Sequence, residues 1–287
     1  ILDYPSHTGT ENLMMAACLA AGTTIIENAS IEPEVVDLAN FLCAMGARVH
    51  GAGTSTIEIE GTPGLHGAAY RIMPDRMEAG TFALAALITG GSVRMDGAVS
   101  PYLGALTNKM RSAGAEVIDT REYYEVRAPQ VLLPTDIQTY PYPGFPTDLQ
   151  APFTTTMTQA NGNSSIYETM FDDRLRYTAE LARMGARIDV SGSGRMAMVH
   201  GPTPLKGAEV TALDIRSGAA LILAALAAEG STTIHNVIYI DRGYQDIDLK
   251  LQQLGSVIAR TEEEPHLCPI TNCEEPIEWG VAPLRYQ

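Results

Sequence analysis

At 287 residues and 45% hydrophobic content, the chain is long enough for two cores, because single cores stop growing near about 250–300 residues. Its formal net charge is −15 although only 18% of residues are charged, which disfavours a nucleic-acid or anionic-membrane partner and leaves a small-molecule enzyme as the better fit. No apolar run reaches the ~18 residues of a spanning helix, and no basic segment followed by an apolar stretch and a cleavage site is visible.

In chain order, helical character is expected over 12–21, a β-branched strand over 22–28, a helix over 33–45 and a hairpin of 48–51 with 56–59. The pattern then repeats. A helix is expected at 79–89, a strand at 91–97, a helix at 103–113 and a hairpin of 116–119 with 123–126. A strand at 162–168 and a helix at 174–184 follow, then a helix at 218–228, a strand at 230–236 and a helix at 245–254. Two glycine signatures mark the period: Gly22, Gly91, Gly162 and Gly230 open strands, while Gly46, Gly114, Gly185 and Gly255 end helices. Each series recurs about every seventy residues, too long for a solenoid unit, so a few large strand–helix–strand–helix–strand–strand units packed around a pseudo-threefold axis are expected. Their nearly all-apolar helices suit central burial, with sheets outside.

Cys18 and Cys43 lie in apolar helix-like runs and are expected in the core; nothing suggests a disulfide framework, so a reducing, cytoplasmic setting is expected. The chain opens at Ile1 as if inside a strand, and a preceding segment is expected.

Asp75, Asp148 and Asp214 each stand at the expected start of a unit's first helix, where an aspartate is a good N-cap. Three such helix starts on one face would also attract anions; Arg76 and Arg216 adjoin two of them in sequence, and Arg242 lies at a further expected strand-to-helix turn.

Six motifs in order resemble the UDP-N-acetylglucosamine 1-carboxyvinyltransferase family of enolpyruvyl transferases. They are Pro5 to Ala17, Gly22 to Asn28 with Glu32 to Asp37, Pro74 to Phe82, Gly144 to Gln150, Glu168 to Arg174, and Ile240 to Tyr244. The resemblance implies an α/β class protein with the inside-out α/β barrel of that fold, built from βαβαββ repeats in two domains. Residues 1–73 would be one unit of an incomplete first domain, 74–260 the three units of the second, and 261–287 an irregular extension. The implied reaction moves the enolpyruvyl group of phosphoenolpyruvate onto the 3-hydroxyl of UDP-N-acetylglucosamine.

By the same resemblance Asp148 contacts the sugar and takes the hydroxyl proton; a carboxylate is a weak base until closure strips its water. Arg216 and Arg242 match arginines on the phosphoenolpyruvate side, where a guanidinium fork suits carboxylate and phosphate. Tyr4, Pro5, Ser6 and His7 match the nucleotide-contacting loop, and Met170 a position that contacts the nucleotide through its backbone. For Ser6, an N-cap role is an equal expectation. Arg76 and Arg174 are weaker candidates, expected more often as interdomain or helix-surface groups. No metal or other cofactor is implied. The family's general acid, a loop cysteine, and its Lys-Asn pair match nothing here, so a missing N-terminal segment is expected to complete the site. Cys268 and Cys273 with His266 are too few for a finger-type metal site. Two other readings are an enzyme like 3-phosphoshikimate 1-carboxyvinyltransferase and a non-catalytic UDP-sugar-binding fragment or paralogue.

Overall fold

The computed structural model describes residues 1–97 and 100–261; the expected extension with Cys268 and Cys273 lies, apart from Thr261, outside the described residues. The chain divides into two compact units, Ile1–Gln245 and Asp246–Gln287.

The larger unit opens with α1 (His7–Ala17), β1 (Thr23–Glu27), α2 (Pro33–Ala44), β2 (Arg48–His50) and β3 (Thr56–Glu60). It continues with α3 (Arg76–Ile88), β4 (Ser92–Asp96), α4 (Gly104–Ser112), β5 (Glu116–Asp119) and β6 (Tyr123–Arg127). Next come β7 (Ile137–Gln138), a single turn at Thr147–Leu149, α5 (Gln150–Met157), β8 (Asn163–Tyr167), α6 (Thr178–Arg183), β9 (Arg187–Val190) and β10 (Met196–His200). Then follow β11 (Glu209–Thr211), α7 (Ile215–Ala227), β12 (Thr233–His235) and the one-turn α8 (Ile238–Asp241). The smaller unit contains α9 (Ile247–Gln253) and an ion pair of Arg260 with Asp248 at 2.9 Å.

Three sheets share one strand order: β1-β3-β2, β4-β6-β5 and β8-β10-β9, the last extended by β7. Alternation sets which face each strand buries. In β3, Ile57 and Ile59 point inward between exposed Thr56 and Glu58, and Ile57 stands opposite Ile26 of β1. Val126 of β6 faces both Val93 and Val117 in the same way.

The helices differ sharply in burial. Every residue of α3 from Ala79 to Ile88 is buried, as is every residue of α5 and the stretch Ser217–Ala224 of α7, and these three helices pack on one another. Small residues permit the close approach: a Cβ on Gly80 of α3 would lie 2.6 Å from Cδ1 of Leu149, the residue immediately before α5. Two of the three threonines of α5 bond back to main-chain carbonyls, Thr154 to Gln150 at 2.8 Å and Thr156 to Pro152 at 2.9 Å, while the buried Thr155 hydroxyl has no hydrogen-bond partner among the described residues. The main core therefore draws on residues from Ala79 to Ala224, and a second, smaller core on Met14 to Ile59. Cys18 belongs to the smaller core, but Cys43 does not: α2 buries Val35, Ala39 and Leu42, which leaves position 43 outside that stripe and exposed.

Residues 61–75 cross between the cores and are pinned to α2. Tyr70 donates to Asp37 at 2.8 Å and stacks on Phe41, and the Met73 amide also donates to Asp37. No helix among the described residues is long and apolar enough to cross a membrane.

Candidate active site

The aspartates that open the three buried helices have different partners. Asp75 caps α3 by accepting from the Met77 and Glu78 amides at 2.7 and 3.0 Å, and Asp214 caps α7 in a capping box with Ser217. Asp148 does not cap, contrary to the expectation from its position. It sits inside the turn preceding α5, and neither that turn nor α5 has a side-chain cap. Its carboxylate is instead held by two arginines, Oδ1 by Arg174 at 2.7 Å and Oδ2 by Arg216. All three residues are partly buried, so the cluster is neither fully screened nor fully desolvated.

The Arg216 guanidinium loses hydration on burial, which alone would lower its pKa. The bond to Asp148 and the charges of Asp148, Tyr244 and Asp214 outweigh that loss and hold it above its ordinary value. Tyr244 links the helix starts. Its buried hydroxyl pairs with Thr81 of α3 at 2.9 Å, and burial is the largest reason its pKa rises to about 12. Asp75 and Asp148 raise it further while Thr81 and Arg216 lower it, so α3, the Asp148 turn and α7 all come within electrostatic reach of one phenol.

Arg242 follows α8 and is exposed. Gly243 presses its backbone on Ile215, where a Cβ would lie 2.6 Å from Cγ2, so Arg242 stands beside the start of α7 that carries Arg216. Arg76 lies apart from this group. It is 4% exposed and ion-paired with Glu32 at 2.5 Å and Glu34 at 2.8 Å, which joins the start of α3 to the start of α2. A cleft of 410 Å³ adjoins Arg174 and is lined by Phe171, Asp172, Asp173, Arg176, Tyr177, Leu213, Asp214 and Ser217.

On the other side, Ser6 caps α1 by accepting from the Gly9 amide at 3.1 Å, and His7 pairs with Glu11 at 3.1 Å. Pro5 is partly buried between Ser6 and Tyr4. Exposed Tyr4 has its pKa raised by partial burial and then by the charges of Glu168 and Glu32. The 4–7 loop therefore lies near the loop carrying Met170, whose amide donates to Glu168 at 2.9 Å.

Glu168 was not singled out from sequence. It is completely buried and accepts from Thr139 at 2.9 Å, Thr147 at 2.9 Å, and the Met170 and Phe171 amides at 2.9 and 3.2 Å. Its sequence signals are its place at the head of the Glu168 to Arg174 motif and an acidic residue immediately after the neutral strand β8. Arg195, also missed, spans from Asp172 at 2.5 Å to the Thr169 carbonyl at 3.1 Å and steadies the same loop. Among the described residues no group of three or more His, Cys, Asp or Glu side chains could hold a metal ion.

A UDP-N-acetylglucosamine 1-carboxyvinyltransferase from a Nostoc species is 50% identical over 283 residues, covering 98% of this chain and 62% of that protein. The UDP-N-acetylglucosamine 1-carboxyvinyltransferase 1 of Halalkalibacterium halodurans is 48% identical, covering 99% of this chain and again 62% of the relative. The chain thus spans about three-fifths of the length of these curated relatives. Among solved structures, the enolpyruvyl transferase NikO from Streptomyces tendae superposes with a TM-score of 0.80 at 26% identity, covering 88% of this chain and 60% of its own. An EPSP synthase from Acinetobacter baumannii, 20% identical with a TM-score of 0.67, shares the fold and covers 91% of this chain and 63% of its own. A family model described as EPSP synthase (3-phosphoshikimate 1-carboxyvinyltransferase) matches residues 1–251, and the chain belongs to that family of mixed α/β proteins.

Proposed function

We propose that this chain is the larger part of an enzyme that transfers the enolpyruvyl group of phosphoenolpyruvate to the 3-hydroxyl of UDP-N-acetylglucosamine, the first committed step of peptidoglycan biosynthesis. The observation that carries the reading is Asp148: a carboxylate at a helix start, with no capping duty, flanked by guanidiniums from two other segments. Curated relatives about half identical to the chain carry the name of this activity.

In this reading Asp148 takes the proton of the sugar hydroxyl as its oxygen bonds to C2 of phosphoenolpyruvate and C3 gains a proton. Loss of that C3 proton and of phosphate from C2 then restores the double bond. Arg216 and Arg242 bind the phosphate and carboxylate; a guanidinium has five donors, so Arg216 can keep Asp148 and still offer a fork to an anion. Tyr4, Pro5, Ser6, His7 and the Met170 backbone line the nucleotide side. The proximity of Tyr4 to Glu168 supports a shared binding surface for the two loops. Arg174 holds the other oxygen of Asp148. Arg76 contributes by tying the two cores together rather than by touching substrate.

The chain is organised, on this account, as one repeat unit (1–73) of a first inside-out barrel domain and three units (74–260) of a second, in a cytoplasmic enzyme. A further segment of the same protein supplies the remaining units, the general acid and more cations. The contrast between helices supports this: Leu13, Met15 and Leu19 in and just after α1 are 45%, 43% and 60% exposed, whereas α3 is buried from Ala79 to Ile88 and packs on α5 and α7.

The test offers the full-length enzyme phosphoenolpyruvate with either UDP-N-acetylglucosamine or shikimate 3-phosphate and identifies products by mass spectrometry. Enolpyruvyl transfer to the UDP-sugar alone is expected. Transfer to shikimate 3-phosphate alone would replace this reading with the other acceptor, and binding of the UDP-sugar without transfer to either would make the protein a binding module.

A further inference from the structure

We infer that Glu168 is a positioning residue that fixes Asp148 for proton transfer; the inference rests on the role proposed above for Asp148. Burying a carboxylate is costly unless its oxygens find donors, and an apolar side chain would fill the same space without that demand. Glu168 meets the demand with four neutral donors drawn from three separate stretches of chain. Oε1 gathers the Thr139 hydroxyl and the Met170 and Phe171 amides, which shapes the loop leading to Arg174. Oε2 takes the hydroxyl of Thr147, the residue immediately before Asp148.

One buried carboxylate thus sets both sides of the Asp148 cluster: the turn that carries Asp148, and the loop at whose end Arg174 reaches Asp148 at 2.7 Å. A network of this kind transmits geometry rather than charge, since no bond of Glu168 reaches Asp148 itself.

The arrangement separates the two arms. In Glu168→Gln the amide oxygen can replace Oε1 and keep the three donors of the loop, but the amide nitrogen then faces Thr147, whose hydroxyl must turn from donor to acceptor. Thr147→Val removes the same bond from the other end at nearly constant volume. Both variants therefore disturb the Asp148 turn and spare the 170–171 loop.

The experiment measures steady-state kinetics of the full-length enzyme carrying Glu168→Gln, Thr147→Val and both together, with thermal melting of each to establish folding. Expected is a fall in kcat on the order of tenfold to hundredfold for each single variant, as for a misplaced catalytic group. The KM for UDP-N-acetylglucosamine and for phosphoenolpyruvate should be unmoved, and the double variant no slower than the slower single. Parental kcat in Glu168→Gln, or losses that multiply in the double variant, would overturn the inference. So would a rise in both KM values that tracks a lowered melting temperature, the mark of a merely structural role. An unmutated enzyme without enolpyruvyl transfer overturns the activity reading and this inference together, whereas an active parent with an indifferent Glu168→Gln overturns this inference alone.

Discussion

Asp148, Asp75 and Asp214 occupy related places at helix starts, yet only the latter two do the local work expected of an aspartate there. Position along the chain announced the helix starts, and Ser6 and Asp214 follow the capping rule with their own neighbours. What sequence could not reveal is that side chains 26 and 68 residues away converge on Asp148, because that depends on how whole units pack. The burial of Glu168 and the exposure of Cys43 were hidden for the same reason: residue type sets a preference, and the face an element turns inward decides. Removing the cap in Asp75→Ala is expected to destabilise the fold by about 1 kcal/mol, read as a lowered denaturant midpoint at constant slope. An unchanged midpoint would mean that the two amide bonds to Asp75 contribute nothing net.

At the scale of elements, the periodic signals were the most readable. The hairpins formed by β2 with β3 and β5 with β6 fall within a residue of their expected limits, as does the start of α2 at Pro33. Helix starts were read late where polar residues precede the apolar run: α3 begins at Arg76 and α7 at Ile215, each on an aspartate cap. The expected helix over 174–184 is shorter, reduced to α6 at Thr178–Arg183 behind a series of turns. Tight packing of α7 on α8 leads to a prediction whose sign runs against helix propensity. Gly218→Ala gains about 1 kcal/mol of intrinsic helix preference, but its methyl would lie 2.4 Å from Ile240 Cγ1. Overpacking of this kind costs about 1–3 kcal/mol, so a net loss of stability is expected in chemical denaturation. A more stable variant would show that α8 yields easily. The apolar side chains of α1 predict that the isolated chain self-associates and that Leu13→Glu with Leu19→Glu reduces this, as measured by sedimentation velocity. Unchanged association would place the contact elsewhere.

For the whole molecule, the buried phenols set a limit on alkaline stability. Burial pushes Tyr124 and Tyr244 from an ordinary value of 10.0 up to about 12, and Tyr177 is raised as well. Their folded values lie above the unfolded one, so the unfolded chain gives up protons first. The stabilisation they represent is complete below pH 10 and is lost as pH rises toward about 12. Denaturation midpoints should therefore fall steeply across that window, and Tyr124→Phe should flatten the fall; a flat profile would mean that the phenols are hydrated in solution. Legibility at this scale was uneven. Glycine-marked periodicity pointed to repeated α/β units, and three sheets do share one strand order, but how the units close on one another is written in no local pattern. The claim on which all else depends is that Asp148, held between arginines from other segments, removes the acceptor's proton. It is tested most directly by comparing phosphate release and UDP-N-acetylglucosamine binding in the full-length enzyme with and without Asp148→Asn. The account predicts that calorimetry finds the nucleotide still bound while phosphate release drops by at least about a hundredfold; near-parental release would contradict it.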